Sequence, residues 1–436
     1  MKKTYRARME WDGIEIFDQK QGRVMSTDHH LVNMAGELQN NSSLDHPYAA
    51  TELFQKIVSS KIVHENNWHI EPLIDTPYPK TQAFASAPRR VYWEFTRKCN
   101  LNCKSCFNRS FGAKEELSTL EILSLADTMY KSGVYELRCT GGEPTVRRDF
   151  IEIIHDLKRM GFYLSMGTNG IYSKSTLNQL MAAPVDWIII SVDGAQESTY
   201  SEIRGDGIFH KVLQTIEELA SKGCRLRINT LIRKTNYTYD HLKGLAELCD
   251  NYSVESLNCI PLRPVTNDPE TLKQQLTPLQ FRDFIADLNR LRQEYSTDFV
   301  TTLDLRHTNT HDRIYFKDRS CAAGREGAVI SPYGEIYGCS YSLASDPNVS
   351  ENKRERYVAG NVLEQDFLDI WNQSEKWAIY RDLKKYKHEK CQSCNYYIAR
   401  RCIGSCPIMD KGNPAASIGY LLHSRHAFSL TFPYVF

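Results

Sequence analysis

Little in this chain points to a membrane, a nucleic acid or a secreted scaffold. No apolar run is long enough to span a bilayer, and Met1-Lys2-Lys3-Thr4-Tyr5-Arg6 is not followed by the apolar core of a targeting peptide. An excess of one charge is missing too. Lysine and arginine number 54 against 53 acidic residues, a formal charge of +1, which leaves no polyelectrolyte footprint for nucleic acid. There are no internal repeats and no long low-complexity tract. With 41% hydrophobic residues over 436 positions, these absences predict a soluble, cytoplasmic protein with a substantial core and about three domains.

Cysteine is what the chain has in quantity. Thirteen cysteines, an odd count, in a chain with no signal peptide argue against a disulfide framework. Three of them share one short stretch, Cys99-Asn100-Leu101-Asn102-Cys103-Lys104-Ser105-Cys106. The stretch follows the strand-like run Val91 to Phe95, which places it on a loop at a strand's C-terminal end. Thiolates this close together suit one iron–sulfur cluster. A cubane cluster takes four ligands and no fourth cysteine lies nearby, so one iron is left open to a small molecule. Structural zinc is the competing reading, but it pairs cysteines two residues apart and finds a second pair downstream, which the three-then-two spacing here fits poorly.

One helix-length further on, the strand-like Tyr135 to Thr140 runs into Gly141-Gly142-Glu143-Pro144. Two glycines at a strand end let backbone approach a ligand closely, and the exposed strand edge offers hydrogen bonds to an amino group. Alone this turn is a weak signal; after a Cys-x3-Cys-x2-Cys loop and a helical stretch from Ser118 to Ser132 it is a strong one. Further strands are predicted at Phe162 to Gly170, Trp187 to Gly194, Leu226 to Ile232 and Val254 to Leu262. Helical patterns at Phe150 to Met160, Ser175 to Ala182, His210 to Lys222 and Tyr239 to Asn251 separate them. Alternating apolar strands and helices imply a parallel sheet covered by helices, whose ligands collect at the strands' C-terminal ends.

At these residues the chain resembles the radical S-adenosylmethionine (SAM) enzymes. The resemblance implies an α/β fold built on a partial (β/α)6, TIM-like barrel. It implies that Cys99, Cys103 and Cys106 hold a [4Fe–4S] cluster whose open iron binds the amino and carboxylate groups of SAM, and that an external donor such as a flavodoxin or ferredoxin supplies the electron. Gly141, Gly142, Glu143 and Pro144 would contact the methionine amino group. Ser191 and Asp193 occupy positions that face the SAM ribose or carboxylate in similar enzymes, and Arg204 matches a recurrent motif that can pair with the carboxylate through its fork geometry. The plainer readings are a turn at Asp193-Gly194 and a surface arginine at Arg204. One departure stands out: the residue before the third cysteine, commonly aromatic in the family, is Ser105, with Phe107 one step late.

A second cysteine set fills the C-terminal third: Cys321, Cys339, Cys391, Cys394, Cys402 and Cys406. The last four have gaps that would also suit a zinc ribbon. The whole set resembles the SPASM extension of radical SAM enzymes, which binds auxiliary iron–sulfur clusters. By that analogy Cys321, Cys339 and Cys406 hold one cluster, and Cys391, Cys394 and Cys402 the other. A seven-cysteine SPASM domain has one cysteine more, and none follows Cys406. Asp410, His423 and His426 are the downstream candidates to replace it, or one cluster is open to substrate or absent. Val362 to Arg381, with Leu363, Phe367, Leu368, Ile370 and Trp371 at helical spacing, resembles the linking segment. Cys139, Cys224, Cys249 and Cys259 read as packed residues.

Near the N-terminus, Gly13 to Phe17 and Gly22 to Met25 flank a polar turn as in a β-hairpin, followed by helix-like stretches at His30 to Leu38 and Ala49 to Ser59. The pattern resembles the small α+β winged-helix-like domain with which peptide-modifying enzymes capture a precursor's leader as an added strand; an ordinary barrel cap is the alternative. The expected domains are therefore 1–75 for peptide recognition, 76–88 as a linker, 89–305 as the barrel and 306–436 as the SPASM domain. The expected activity is maturation of a ribosomally made precursor peptide, begun by hydrogen abstraction and ending in a cross-link or other oxidation. Sulfatase maturation is the close alternative, weakened because similar sulfatase-maturing enzymes carry aspartate where Ser340 stands. Oxidation or rearrangement of a small metabolite and a non-enzymatic electron carrier are the others.

Overall fold

The computed structural model describes residues 3–10, 13–20, 22–26, 68–70, 74–78, 81, 83–104, 106, 108, 115–263, 270, 273–301, 321–343, 351–382, 385 and 408. The predicted helix-like stretches at 30–38 and 49–59 lie outside them. So do Cys391, Cys394, Cys402, Cys406, Asp410, His423 and His426.

The centre of the molecule is a parallel sheet of β5 (Arg90–Glu94), β6 (Glu136–Thr140), β7 (Tyr163–Thr168), β8 (Trp187–Ser191), β9 (Leu226–Ile232), β10 (Ser256–Pro261) and β11 (Asp298–Thr301) in sequential order. Between them run helices α1 (Thr119–Lys131), α2 (Phe150–Met160), α3 (Lys174–Ala182), α4 (Glu197–Arg204), α5 (Phe209–Ser221), α6 (Tyr239–Asn251) and α7 (Pro278–Glu294). Alternation within each strand explains how the layers close. Val91, Trp93, Leu137, Cys139, Leu164, Met166, Ile188, Ile190, Ile228, Leu257 and Cys259 face the helices and are fully buried. The intervening positions line the opposite, concave face.

α1 and α7 begin at side-chain caps. Ser118 and Glu121 form a reciprocal capping box on α1, and Thr277 and Gln280 do the same on α7, with Pro278 in the first turn. Ile122, Leu125, Ala126 and Met129 then give α1 one apolar face against the sheet.

The sheet continues past the barrel. β12 (Gly327–Ile330) pairs in parallel with β5, and β13 (Glu335–Tyr337) and β14 (Val358–Asn361) add antiparallel strands beyond it. The C-terminal region is thus joined to the barrel through a shared sheet. Val362 to Arg381, expected as the linking segment with apolar residues at helical spacing, contains α9 (Phe367–Gln373), a single 3-10 turn and α10 (Ala378–Arg381), after α8 (Glu351–Tyr357). Phe367, Ile370 and Trp371 are buried, whereas Leu363 is exposed.

The N-terminal hairpin is present as β2 (Gly13–Asp18) and β3 (Arg23–Ser26). Two strands not predicted complete it: β1 (Lys3–Glu10), antiparallel to β2, and β4 (Trp68–Ile70), parallel to β1. This sheet docks on the N-terminal ends of the barrel strands. Arg6 donates to the Val134 carbonyl (2.7 Å) and Arg8 to the Gly133 carbonyl (2.8 Å), while Phe17 stacks on Tyr135 at 4.8 Å. Arg8 also meets Glu10 (2.8 Å) and Glu15 (3.1 Å). Arg89 joins Glu15 to Glu326, 3.0 Å away, just before β12. One buried charge network therefore ties all three parts of the chain together. Removing one member would strand the others in low dielectric.

Candidate functional site

The cysteine loop leaves β5 and is held against the turn after β6. The Gly142 amide donates to the Thr96 carbonyl (2.7 Å) and the Glu143 amide to that of Lys98 (2.8 Å). This contact is what the glycines permit. A Cβ on Gly141, at φ +144°, would lie 2.3 Å from the Thr96 oxygen, and one on Gly142 would lie 2.1 Å from the Lys98 oxygen. From sequence the two glycines were expected to bring backbone near a ligand; in the structure they bring two loops together.

Glu143 turns inward and is fully buried. Its carboxylate accepts from the hydroxyls of Thr145 (2.8 Å) and Thr168 (3.0 Å) and from the Asn169 amide (2.8 Å). Burial pushes its pKa up and these donors pull against that shift. Glu143 thereby fastens the turn to the end of β7.

Cys99, Cys103 and Cys106 are not in disulfides, the first being exposed and the others half-buried. Each has a hydrogen-bond donor at its sulfur. The Leu101 amide lies 3.4 Å from Cys99, the Asn108 amide 3.4 Å from Cys106, and an Arg204 guanidinium nitrogen 3.7 Å from Cys103. Asn169 adds a second donor to Cys99 at 3.8 Å and bonds Asn100 at 2.7 Å. Asn108 also donates to the Gly141 carbonyl at 2.7 Å. Nothing in the spacing of the sequence singles out Asn108 or Asn169, because both read as turn residues until the fold sets them beside the thiols.

At the end of β8, Ser191 sits half-buried on the concave face, opposite Asn229 of β9. Asp193 and Arg204 are engaged with each other at 2.6 Å. Asp193, 1% exposed, also accepts from the Leu231 amide (2.7 Å). Arg204 is therefore neither a free surface arginine nor an unpaired fork; it bridges Asp193 to Cys103. Burial pushes the Cys103 thiol up, and Arg204 pulls it back toward the thiolate that a metal requires.

In the C-terminal region, Cys321 and Cys339 are half-buried. Gly324 and Gly338 both lie against the Tyr380 ring, so the segments carrying these cysteines converge on one side chain. Cys139, Cys249 and Cys259 are fully buried and Cys224 packs against the same core, as expected of packed residues.

The residues at the end of β5 fit an iron–sulfur cluster. Three thiols share a loop, each with a donor to sulfur of the kind that tunes cluster potentials. Among the described residues no three metal-ligating side chains converge on a single ion. A cubane does not require that, since each thiolate binds a different iron.

Comparison with known proteins agrees with this geometry. Residues 93–249 match the family model of the radical SAM superfamily, and residues 321–395 match that of SPASM, an iron–sulfur cluster-binding domain. The chain is 28% identical over 332 residues to an AdoMet-dependent heme synthase of Oleidesulfovibrio alaskensis, covering 71% of this chain and 81% of the relative. It is 27% identical over 333 residues to the mycofactocin maturase MftC of Mycobacterium tuberculosis, covering 73% and 78%. Its fold is similar to that of SuiB from Streptococcus suis, with a TM-score of 0.70 at 18% identity over 93% of this chain and 94% of that one.

Proposed function

This chain carries a radical SAM domain followed by a SPASM domain, and from that premise we propose that it is a radical SAM peptide maturase. The observation that carries the reading is the single hydrogen-bonded unit formed by the cysteine loop, the Gly141–Pro144 turn and the ends of β7 and β8. Cys99, Cys103 and Cys106 would hold a [4Fe–4S] cluster, with SAM beside the turn. When bound, the pair supplies one-electron cleavage of SAM to a 5′-deoxyadenosyl radical, which abstracts hydrogen from the substrate. The chain's own part is positional. Glu143 fixes the turn, Asn108 and Asn169 fix the loop, and Arg204 holds positive charge at Cys103. Cys321, Cys339, Cys391, Cys394, Cys402 and Cys406 would hold the auxiliary clusters.

Support for a peptide substrate comes from the relative named as a maturase and from the structure of SuiB with its precursor peptide SuiA. The N-terminal sheet adds to it, because β3 is an edge strand able to take on a further strand from a leader. That sheet lies at the opposite end of the barrel from the cysteine loop, so the leader would be gripped far from the chemistry. Similarity to heme synthases favours the small-metabolite reading as the second choice.

The test uses anaerobically reconstituted protein with dithionite, SAM and short peptides encoded beside the gene. SAM should be cleaved to 5′-deoxyadenosine, and one peptide should change mass. Replacing Cys99, Cys103 and Cys106 together by alanine should abolish cleavage while iron remains in the C-terminal region. Undiminished cleavage in that variant would refute the site, and cleavage with modification of a small acid but of no peptide would favour the metabolite reading.

A further inference from the structure

The concave face of the barrel sheet holds charges that the proposed radical chemistry does not use. Arg90 and Tyr92 on β5, Glu136 and Arg138 on β6, Ser165 on β7, Trp187 on β8 and Arg227 on β9 all lie on it. The facing positions Val91, Leu137, Leu164, Ile188 and Ile228 are buried against the helices. Three arginines here face one glutamate. Arg90 meets Glu136 at 2.6 Å, Arg138 meets the other oxygen at 3.5 Å, and Ser165 donates to it at 3.2 Å. Glu136 is thereby fully used.

Arg227 is left over. Among the described residues no carboxylate lies within ion-pair distance of it, and its Nε is buried without a hydrogen-bond partner. Its guanidinium lies 4.9 Å from the Trp187 ring, on whose other contact Arg225 sits at 3.9 Å. Arg225 is neutralised by a two-pronged pair with Glu255, at 3.0 Å from each nitrogen, so it makes no demand on Arg227's surroundings. A half-buried cation with an orphaned donor is costly unless something completes it. Burial, then Arg138 and Arg90, push the Arg227 pKa down, against the opposing pull of Asp298 and Glu136.

The direction of the site is set by the sheet register. Asn229, two residues along β9 and on the same face, pairs with Ser191 toward the cysteine-loop end; two residues span about 7 Å. Beside it, Asn258 donates to the Asn229 oxygen at 3.0 Å, while its own buried amide oxygen has no partner. One orphaned donor and one orphaned acceptor thus line the path from Arg227 to the proposed SAM end.

We propose that Arg227, backed by Arg138 and Arg90, forms a carboxylate-binding site on the barrel's concave face that anchors an acidic group of the substrate below the radical site. The fork of Arg227 takes the carboxylate, and Asn258 accepts from an adjacent N–H. The carboxylate is either the C-terminus of the peptide or an Asp or Glu side chain within it. This rests on the peptide-maturase reading, whose own failure would show as SAM cleavage with no mass change in any peptide.

The experiment titrates reconstituted full-length protein, with SAM, against three probes: N-acetyl-triglycine, its C-terminal amide, and N-acetyl-aspartyl amide. Tryptophan fluorescence is the readout, because Trp187 lies against Arg227. At least one carboxylate probe should give a saturable change, the triglycine acid if a chain end is bound and the aspartyl probe if a side chain is. The triglycine amide should give none. Arg227→Gln should weaken the response at least tenfold, and Arg227→Lys should keep part of it, with SAM cleavage retained in both. A saturable response to the triglycine amide equal to that of the acid, no saturable response to either carboxylate, or full binding in Arg227→Gln would each overturn the proposal. The first two comparisons need only the unaltered protein, so they hold even if a variant folds poorly.

Discussion

Replacing Arg204 by glutamine tests whether the charge beside the cysteine loop tunes the cluster. Arg204 donates to Cys103 across 3.7 Å and pairs with Asp193 at 2.6 Å. The substitution removes a positive charge and leaves the buried Asp193 carboxylate without its counter-charge near the same sulfur. An electron entering the cluster would then meet less positive potential. Taking the charge centres at about twice the contact distance, an effective dielectric near 20 gives about 2 kcal/mol, equivalent to roughly 90 mV for one electron. The potential should fall by that order in Arg204→Gln, fall less in Arg204→Lys, and rise in Asp193→Asn. Redox titration followed by electron paramagnetic resonance reads the cluster directly, with iron content checked to be equal across variants. A potential unchanged in Arg204→Gln at full iron loading would refute the electrostatic role and leave Arg204 as a structural strap.

Two further outcomes follow from the geometry. Gly142→Ala places a methyl 2.1 Å from the Lys98 carbonyl oxygen, so the turn or the cysteine loop must move; we expect a loss of about 1–3 kcal/mol and weaker SAM binding in equilibrium dialysis, and normal binding would show that the loops need not touch. For Glu136, burial alone would raise the pKa, but Arg90 and Arg138 overcome it and hold the carboxyl below its ordinary 4.5. Its folded value being depressed, its contribution is present above the unfolded pKa and is lost as pH falls through the folded one. In urea unfolding of the cluster-free protein, Glu136→Gln should therefore be less stable than the parent near pH 7, with the gap closing below pH 4.5. A gap that widened toward low pH would contradict the sign.

The barrel was legible in the sequence because both of its signals are local. A continuous apolar run at Trp187 to Ile190 and the apolar-rich stretch Leu226 to Ile232 mark strands, and caps such as Ser118 mark helix starts, without any distant contact. The N-terminal β1 strand escaped because Lys3 to Glu10 carries arginines inward. Arg6 and Arg8 are fully buried, and a strand whose inner face is charged has no apolar alternation to reveal it. The strands β12 to β14 are three or four residues long and owe their existence to pairing with β5 and one another.

At the site, residue order along the chain already carries the donor set. Three thiols on one loop and a Gly-Gly-Glu-Pro turn are covalent facts that any fold must accommodate. What surrounds them depends on folding. Asn108, Asn169 and Arg204 come to the sulfurs from one loop and two different strand–helix units, and Arg227 of β9 shares the concave face with Arg138 of β6 and Arg90 of β5 only through the sheet register. Hydrogen bonds and Coulomb interactions depend on distance in space, which residue order along the chain does not encode until the sheet closes.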